Sequence, residues 1–274
     1  MGCSTGTGGD GTMSNQPAVR DAVVLRTAWL TPGMVRVVFG GDGLSGFEPG
    51  ACTDSYVKLL LQAPGTGQPV RRTYTVRRWD PAQGELTIDF VHHGDSGLAG
   101  SWAAAAKPGD RISLAGPGGQ YAPDPAAEGH LLVGDASALP AIAAALERVG
   151  EGQPVHVFLE VDGEAEVQPL QTPGALTATW LERSNNTTGD ELLADAVRGA
   201  SLPRGRVQAF VHGEAGSVRA VRRHLLVERG LPRADMSVSG YWKRGRTDEG
   251  WRSDKADWQR QATADEQPLT AVPR

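Results

Sequence analysis

Cysteine is nearly absent from this 274-residue sequence, which contains only Cys3 and Cys52. Two cysteines provide no disulfide framework, zinc site or iron–sulfur cluster, so we predict no metal site. No apolar run approaches the ~18 residues that a membrane-spanning helix needs. The formal charge of −5 argues against general affinity for nucleic acid. Because the N-terminal segment also has no signal-peptide pattern, we expect a cytoplasmic protein without a membrane or nucleic-acid partner, and a monomer.

Glycine and proline are abundant, with 36 and 18 residues, and they divide residues 18–125 into short alternating runs with almost no helix. Six runs predict strands: Ala22–Trp29, Met34–Gly40, Ser55–Leu61, Arg72–Trp79, Glu85–His92 and Arg111–Ala115. Their number and spacing predict a small antiparallel barrel. Residues 1–17 are rich in Gly, Ser and Thr and are predicted to be disordered, and Met1 and Met13 are both compatible with a natural start.

Residues 126–245 follow a different pattern, in which apolar strands alternate with helices. The first strand is Leu131–Gly134, and helices are predicted at Pro140–Val149 and Ser217–Arg229. Such alternation implies crossover connections and a largely parallel, doubly wound sheet. Residues 246–274 form a charged tail in which Trp251 and Trp258 are seven apart. This spacing predicts one face of a short docking helix, followed by disorder from Ala262.

The stretch from Arg72 to Arg77 carries the strongest chemical signal. On one strand, Arg72, Tyr74 and Val76 should share a face, with Thr73, Thr75 and Arg77 on the other. An arginine fork suits a pyrophosphate, and a tyrosine ring can lie against an isoalloxazine, so this arrangement can hold a flavin dinucleotide. An edge strand with solvated arginines is an equally good interpretation of this hexapeptide alone.

Three glycine-containing loops add candidate phosphate and nucleotide sites. The loop after His93 leads into a helix predicted at Ser101–Lys107, whose first amides can receive a pyrophosphate. Residues 134–140 and 213–216 each follow a strand of the parallel sheet, at the edge where nucleotides bind. The loop at residues 134–140 lacks the Gly-x-Gly-x-x-Gly pattern of a Rossmann dinucleotide site. Each site has an alternative interpretation. The loop after His93 is also compatible with an ordinary surface loop, and the arginines of the helix Ser217–Arg229 with a solvated helix face. Tyr241 and Trp242, at the end of the last strand, are also compatible with core positions.

The ordered series of motifs closely resembles the siderophore-interacting proteins, which are FAD-dependent ferric-siderophore reductases of the ferredoxin–NADP reductase-like group. The motifs are Arg72-Thr73-Tyr74-Thr75-Val76-Arg77, His93-Gly94, Trp102-Ala103, Pro108-Gly109-Asp110, Gly116-Pro117-Gly118-Gly119, Ala138-Leu139-Pro140-Ala141-Ile142, Gly213-Glu214-Ala215 and Gly240-Tyr241-Trp242. They extend over residues 18–251 in unbroken order. Single motifs are weak evidence, whereas the series as a whole is specific.

The resemblance implies a six-stranded antiparallel Greek-key-type FAD-binding barrel at residues 18–125, then a parallel-sheet NAD(P)H-binding domain at residues 126–245. It implies hydride transfer from NADPH or NADH to FAD and reduction of a ferric siderophore, with Tyr74 and Thr75 as catalytic residues. The expected cofactor-binding residues are Arg72, Thr73, Tyr74, Thr75, Val91, His93, Gly97, Ala99, Gly100, Ser101, Trp102, Asp135, Ser137, Ala138, Arg183, Gly213, Glu214, Tyr241 and Trp242. The expected siderophore-binding residues are Lys58, Lys243, Arg244 and Arg246, which would form a basic rim for an anionic substrate.

Several positions depart from the family pattern or give opposing indications. Gly97-Leu98-Ala99-Gly100 replaces the usual Gly-Pro-Ala-Ser, so a hydroxyl for the flavin phosphate comes from Ser101 or is missing. Glu160 and Asp162 favour a ribose 2′-hydroxyl and hence NADH, whereas Arg183 favours a 2′-phosphate, and we predict NADPH. The alternatives to this activity are a flavin reductase of another acceptor and a siderophore-binding protein without turnover.

Overall fold

A computed structural model describes residues 18–63, 65, 67–94, 97–183 and 189–265. The predicted disorder of residues 1–17 and of residues 266–274 lies outside the described residues, as do Asp95 and Ser96 of the loop after His93. The chain divides into two compact units. The first unit contains the residues up to Ala122 together with residues 143–148 and 165–171, and the second contains the other residues. Among the described helices, none is both long and apolar enough to cross a membrane.

The first unit is built on a curled antiparallel sheet, as predicted, but it has seven strands where six were expected. The strands are β1 (Val19–Thr31), β2 (Met34–Gly40), β3 (Tyr56–Gln62), β4 (Pro69–Thr75), β5 (Arg78–Asp80), β6 (Glu85–Val91) and β7 (Arg111–Gly118). Their order across the sheet is β4-β3-β7-β1-β2-β6-β5. The two edge strands, β4 and β5, are consecutive in the chain, so the sheet curls until its edges come together.

The extra strand arises because the run predicted as one strand, Arg72–Trp79, is broken after Thr75. The amide of Val76 donates to the carbonyl of Ser55 at 2.7 Å, and the amide of Arg77 donates to the carbonyl of Thr87 at 2.9 Å. Two successive residues therefore bond to opposite neighbours, and the chain passes from one edge of the sheet to the other. The prediction that Val76 continues the strand on the face of Tyr74 is wrong, because Thr75 and Val76 are both buried.

The core of the first unit lies inside the curled sheet, and helix α1 (Leu98–Ala105) packs into it. Fully buried core residues include Phe39, Phe90 and Leu114, and α1 contributes Ala99 and Ala103. The helix begins three residues before its predicted start at Ser101. It ends before the predicted Lys107, because the residue preceding a proline disfavours the helical conformation.

The second unit contains a five-stranded parallel sheet, which confirms the predicted architecture. The helices and strands from residue 129 onward are β8 (Gly129–Asp135), α2 (Leu139–Leu146), β9 (Pro154–Val161), β10 (Ala175–Glu182), α3 (Leu192–Gly199), β11 (Val207–Glu214), α4 (Ala215–Arg223), β12 (Met236–Trp242) and α5 (Asp248–Ala264). The strand order is β10-β9-β8-β11-β12. The chain proceeds from β8 to β9 on one side and later adds β11 on the other. The carboxyl ends of β8 and β11 therefore form the switch point where such sheets bind ligands.

Helix α5 packs on the second unit through its two tryptophans. Trp251 and Trp258 are both buried, their rings meet edge to face at 5.8 Å, and the indole of Trp258 donates to the carbonyl of Ala215 at 2.9 Å. The predicted shared face is therefore correct. The helix is longer than expected, because Ala262 is buried and helical where disorder was predicted.

Candidate functional site

In the first unit, Tyr74 belongs to a cluster of aromatic rings. The Tyr74 ring lies 4.4 Å from the ring of Phe90, and Phe90 lies 6.0 Å from Trp102 of α1. Phe39 stacks on Trp102 at 6.2 Å. Tyr74 and Trp102 stay partly exposed, whereas Phe39 and Phe90 are buried. A partly exposed ring with buried rings behind it offers a flat, fixed apolar surface, which suits a flavin ring system.

Strand alternation distributes the other residues of this motif over two faces of β4. Arg72 and Tyr74 share a face, since they are opposite the buried residues Leu59 and Val57 of β3. Thr73 is on the other face, opposite Lys58. Thr75 ends the strand and is buried. The structure therefore brings the guanidinium of Arg72 and the phenol of Tyr74 together on one face of the edge strand β4.

The first turn of α1 is a second candidate element of this site. Gly97, with φ of +97°, precedes the helix, and among the described residues no side chain caps the helix start. A Cβ at Gly100 would lie 2.6 Å from the carbonyl oxygen of Val91, so only glycine permits this close approach to β6. Uncapped amides at a helix start are a favourable site for a phosphate.

The hydroxyl group of Ser101 is already used by a hydrogen bond within α1. Its Oγ donates to the carbonyl of Gly97 at 2.8 Å, within its own helix. The backbone amides of residues 98–100 are therefore better placed to receive a phosphate than this hydroxyl. His93 lies in an isolated bridge after β6, and Val91 is half-buried at the end of that strand.

In the second unit, the buried carboxylate of Asp135 joins the carboxyl ends of three strands. Its Oδ1 accepts from the amide of Ser137 at 2.9 Å and from the Ser137 hydroxyl at 2.5 Å, which closes the turn between β8 and α2. Its Oδ2 accepts from the amide of Glu214 at 2.7 Å and from the indole of Trp242 at 2.8 Å. Four residues predicted from three separate motifs therefore meet at the switch point.

Two small residues let these elements approach one another. Gly213 has φ of +139°, and a Cβ there would lie 2.8 Å from the Asp135 carboxylate. Ala138 is fully buried, and its methyl group is 2.6 Å from the position of a Cβ at Gly134. Both positions therefore determine the packing of the turn.

Glu214 caps helix α4. Its Oε2 accepts from the amides of Gly216 at 2.6 Å and Ser217 at 2.9 Å, and its Oε1 accepts from the amide of Arg244 at 3.0 Å. A carboxylate thus satisfies the first amides of α4, and these amides are not available to a phosphate.

Arg183 forms ion pairs with the two acids that gave the opposing indication about the nicotinamide nucleotide. Its Nε donates to Glu160 at 2.6 Å and its Nη1 donates to Asp162 at 2.8 Å. Burial acts to lower the pKa of Arg183, but the hydrogen bond and charge of Glu160 outweigh it and the pKa is raised. The guanidinium also lies 6.0 Å from the Trp242 ring. Its charge is therefore largely balanced within the protein.

The predicted basic residues after β12 have different surroundings. Lys243 and Arg244 line a cavity of about 600 Å³ beside α4 and α5. Arg244 also approaches Glu160 at 3.8 Å, and Arg246 pairs with Asp254 of α5 at 2.9 Å. Within the described part of the chain, Lys243 forms no ion pair. Tyr241 meets the buried ring of His212 edge to face at 5.1 Å.

The residues that support the predicted ones were not predicted from the sequence. Phe90 lies directly behind Tyr74, but in the sequence it was only one position of the predicted strand Glu85–His92. Asp254 was missed as the partner of Arg246, because the register of α5 on the second unit has no short sequence signal.

Solved structures share this arrangement of a curled antiparallel sheet domain followed by a parallel five-stranded domain. One is titled a ferredoxin reductase in carbazole 1,9a-dioxygenase, with a TM-score of 0.62 at 18% identity over 82% of this chain and 70% of that one. The family model described as siderophore-interacting FAD-binding domain matches residues 23–69 and 62–121. The model described as siderophore-interacting protein matches residues 127–245. The chain therefore belongs to the siderophore-interacting protein family.

Individual relatives agree with this membership. An uncharacterized protein of Mycobacterium tuberculosis strain H37Rv is 41% identical over 85% of this chain and 93% of its own length. The ferric vibriobactin reductase ViuB of Vibrio cholerae is 34% identical over 89% of this chain and 97% of its length. The crystal structure of a siderophore utilization protein from T. fusca has a TM-score of 0.76 at 38% identity, over 84% of this chain and 95% of that one.

Proposed function

We propose that this protein is an NAD(P)H-dependent, FAD-containing reductase that reduces a ferric siderophore and thereby releases Fe(II) in the cytoplasm. The observation that carries the proposal is the Tyr74 cluster beside the uncapped first turn of α1, within a domain matched by the FAD-binding family model. The relative ViuB is named a ferric vibriobactin reductase, and this supports the choice of acceptor.

The residues of the first unit fit FAD. Tyr74 would lie against the isoalloxazine, with Phe90 and Trp102 fixing the orientation of its ring. Arg72 and the amides at the start of α1 would hold the phosphates. Glycine at position 100 leaves no side chain between these amides and the end of β6. Bound FAD would supply the conversion between a two-electron hydride and the one-electron reduction of Fe(III).

For the nicotinamide nucleotide, the candidate residues gather at the switch point of the second sheet. Asp135 holds the ends of β8, β11 and β12 in a fixed arrangement. The turn after β8 is lined by Ser137 and Ala138, whose small side chains suit close approach of a nucleotide. Arg183 does not by itself favour NADPH, because Glu160 and Asp162 already bind this guanidinium. We therefore propose that both NADH and NADPH serve as donors.

For the acceptor, Lys243 is the strongest of the four basic candidates. Ferric siderophores are commonly anionic, and an unneutralised ammonium beside a cavity attracts an anion. Hard oxygen ligands suit Fe(III) better than Fe(II), so reduction weakens the complex and favours release of iron.

The proposal is tested with purified protein loaded with FAD under anaerobic conditions. NADH or NADPH should bleach the flavin absorbance, a ferric siderophore should restore it, and a chelator of Fe(II) should report one Fe(II) per electron transferred. Restoration of the absorbance by other acceptors but not by a ferric siderophore would contradict the proposed substrate. Siderophore binding without any bleaching would favour a binding protein.

The role of Lys243 has a matched control in Arg246, whose charge is already paired with Asp254. Lys243→Ala should raise the KM for an anionic ferric siderophore several-fold at low salt, and the difference should shrink at high salt because screening weakens exposed charges. Arg246→Ala should change this KM much less, and both variants should bleach normally. Equal effects of the two substitutions would contradict a specific role for Lys243.

A further inference from the structure

In the described part of the first unit, one large exposed aromatic side chain is used by none of the assigned roles. Trp29, near the end of β1, is 53% exposed. Exposing an indole this far leaves a large apolar surface in water, which costs free energy unless the surface has a partner. Its exposed neighbours on the same strand, Leu25 and Val19, are aliphatic.

The Trp29 ring is held in a defined orientation. It meets the ring of His92 edge to face, with the centroids 5.2 Å apart and the planes at 77°. His92 follows β6 directly, and its amide donates to the carbonyl of Gly33 in the hairpin between β1 and β2. This bond joins the segment that carries His92 to the hairpin that follows Trp29. One face of the indole is therefore available to a ligand without further ordering of the backbone.

The ring pair adjoins the candidate phosphate site. A Cβ at Gly100 would lie 3.3 Å from the Cα of His92, so the first turn of α1 is in van der Waals contact with the residue that holds Trp29. Two residues before His92 on β6 is Phe90, which contacts both Tyr74 and Trp102. One short stretch of the first unit therefore contains the exposed ring of Trp29, the first turn of α1 and the aromatic cluster of Tyr74.

This order matches the parts of FAD, in which a diphosphate separates an isoalloxazine from an adenine. We propose that Trp29 is the stacking platform for the adenine ring of FAD and that His92 positions it. The inference rests on the proposed flavin function and extends it to a residue outside every motif of the sequence series. Adenine has an extended π-face, and stacking of a nucleobase on an aromatic side chain is favourable and tolerant of exposure.

The test compares FAD with FMN, which has the same isoalloxazine and first phosphate but no adenosine. Flavin-free protein is titrated with each flavin, and the dissociation constant is taken from quenching of flavin fluorescence. In Trp29→Ala, we expect the Kd for FAD to rise about 10- to 100-fold and the Kd for FMN to stay unchanged. Trp29→Phe should recover part of the FAD affinity, and Leu25→Ala on the same strand should match the unsubstituted protein.

The outcomes separate the inference from the proposed function. Equal losses for FAD and FMN, or no change for either, would overturn the role of Trp29 in adenine binding. Unchanged FMN binding also shows that the variant is folded. A protein that binds neither flavin before substitution would instead contradict the proposed flavoprotein function.

Discussion

Replacing Gly100 with alanine tests whether the close approach of α1 to β6 builds the flavin site. The added methyl group would lie 2.6 Å from the carbonyl oxygen of Val91, which is a main-chain atom and cannot rotate away. Carbon–oxygen contacts normally lie at about 3.3–3.6 Å, so α1 has to move by roughly 0.7–1 Å. Such a shift would displace the first-turn amides and the ring of Trp102 together.

Two opposing effects determine the expected stability. Overpacking costs about 1–3 kcal/mol, whereas alanine gains at most about 1 kcal/mol over glycine in a helix, and less in a first turn. We therefore expect Gly100→Ala to lower the free energy of unfolding by about 1–2 kcal/mol and to weaken FAD binding by about tenfold. Urea unfolding of flavin-free protein and fluorescence titration with FAD measure these two quantities.

The matched control is Gly199→Ala in the last position of α3, where a Cβ would have no heavy atom within 4 Å. This variant should be as stable as the unsubstituted protein or slightly more stable. If Gly100→Ala behaved in the same way and kept its affinity for FAD, the proposed dependence of the flavin site on this glycine would be refuted.

Two further predictions concern the second unit. Asp135→Asn places an NH₂ group against N–H donors, so we expect the free energy of unfolding to fall by about 2–4 kcal/mol. The control is Asp162→Asn, which changes an exposed carboxylate. Equal losses of stability in the two variants would argue against a special role for Asp135. Burial, with a smaller contribution from the charge of Lys255, lowers the pKa of His212 to about 3, against about 6.5 in the unfolded chain. The unfolded chain therefore binds more protons between these values, and stability should be complete above about pH 6.5 and fall toward pH 3. His212→Phe should reduce the change of the free energy of unfolding with pH by up to about 1.4 kcal/mol per pH unit. Urea unfolding at several pH values measures this slope, and equal slopes in the variant and the unsubstituted protein would show that His212 is not responsible.

The sequence was sufficient to predict both sheets, because alternation and turn residues are local properties. The break after Thr75 was not predictable, since it depends on hydrogen bonds from Val76 and Arg77 to strands on opposite sides of the sheet. A run of eight residues that all favour extended backbone carries no local sign of such a change of partner.

The same limit applies to the candidate site. Tyr74, Asp135 and Trp242 were identified from their motifs, but their neighbours depend on sheet register. Arg183 and Glu160 gave opposing indications in the sequence, and the adjacent parallel strands β10 and β9 bring them into one ion pair. The sequence shows which residue types are present, but it does not show that Arg183 and Glu160 pair with each other, and this pairing changes what each can bind.

The seam between β4 and β5 has a practical consequence for any measurement on this protein. The strand that would bind the flavin is also an edge of the curled sheet, joined to the opposite edge by only two residues. A ligand bound there stabilises the folded state in proportion to the logarithm of its free concentration. Preparations that differ in flavin content will then differ in apparent melting temperature even when their sequences are identical, and occupancy has to be matched before any two variants are ranked.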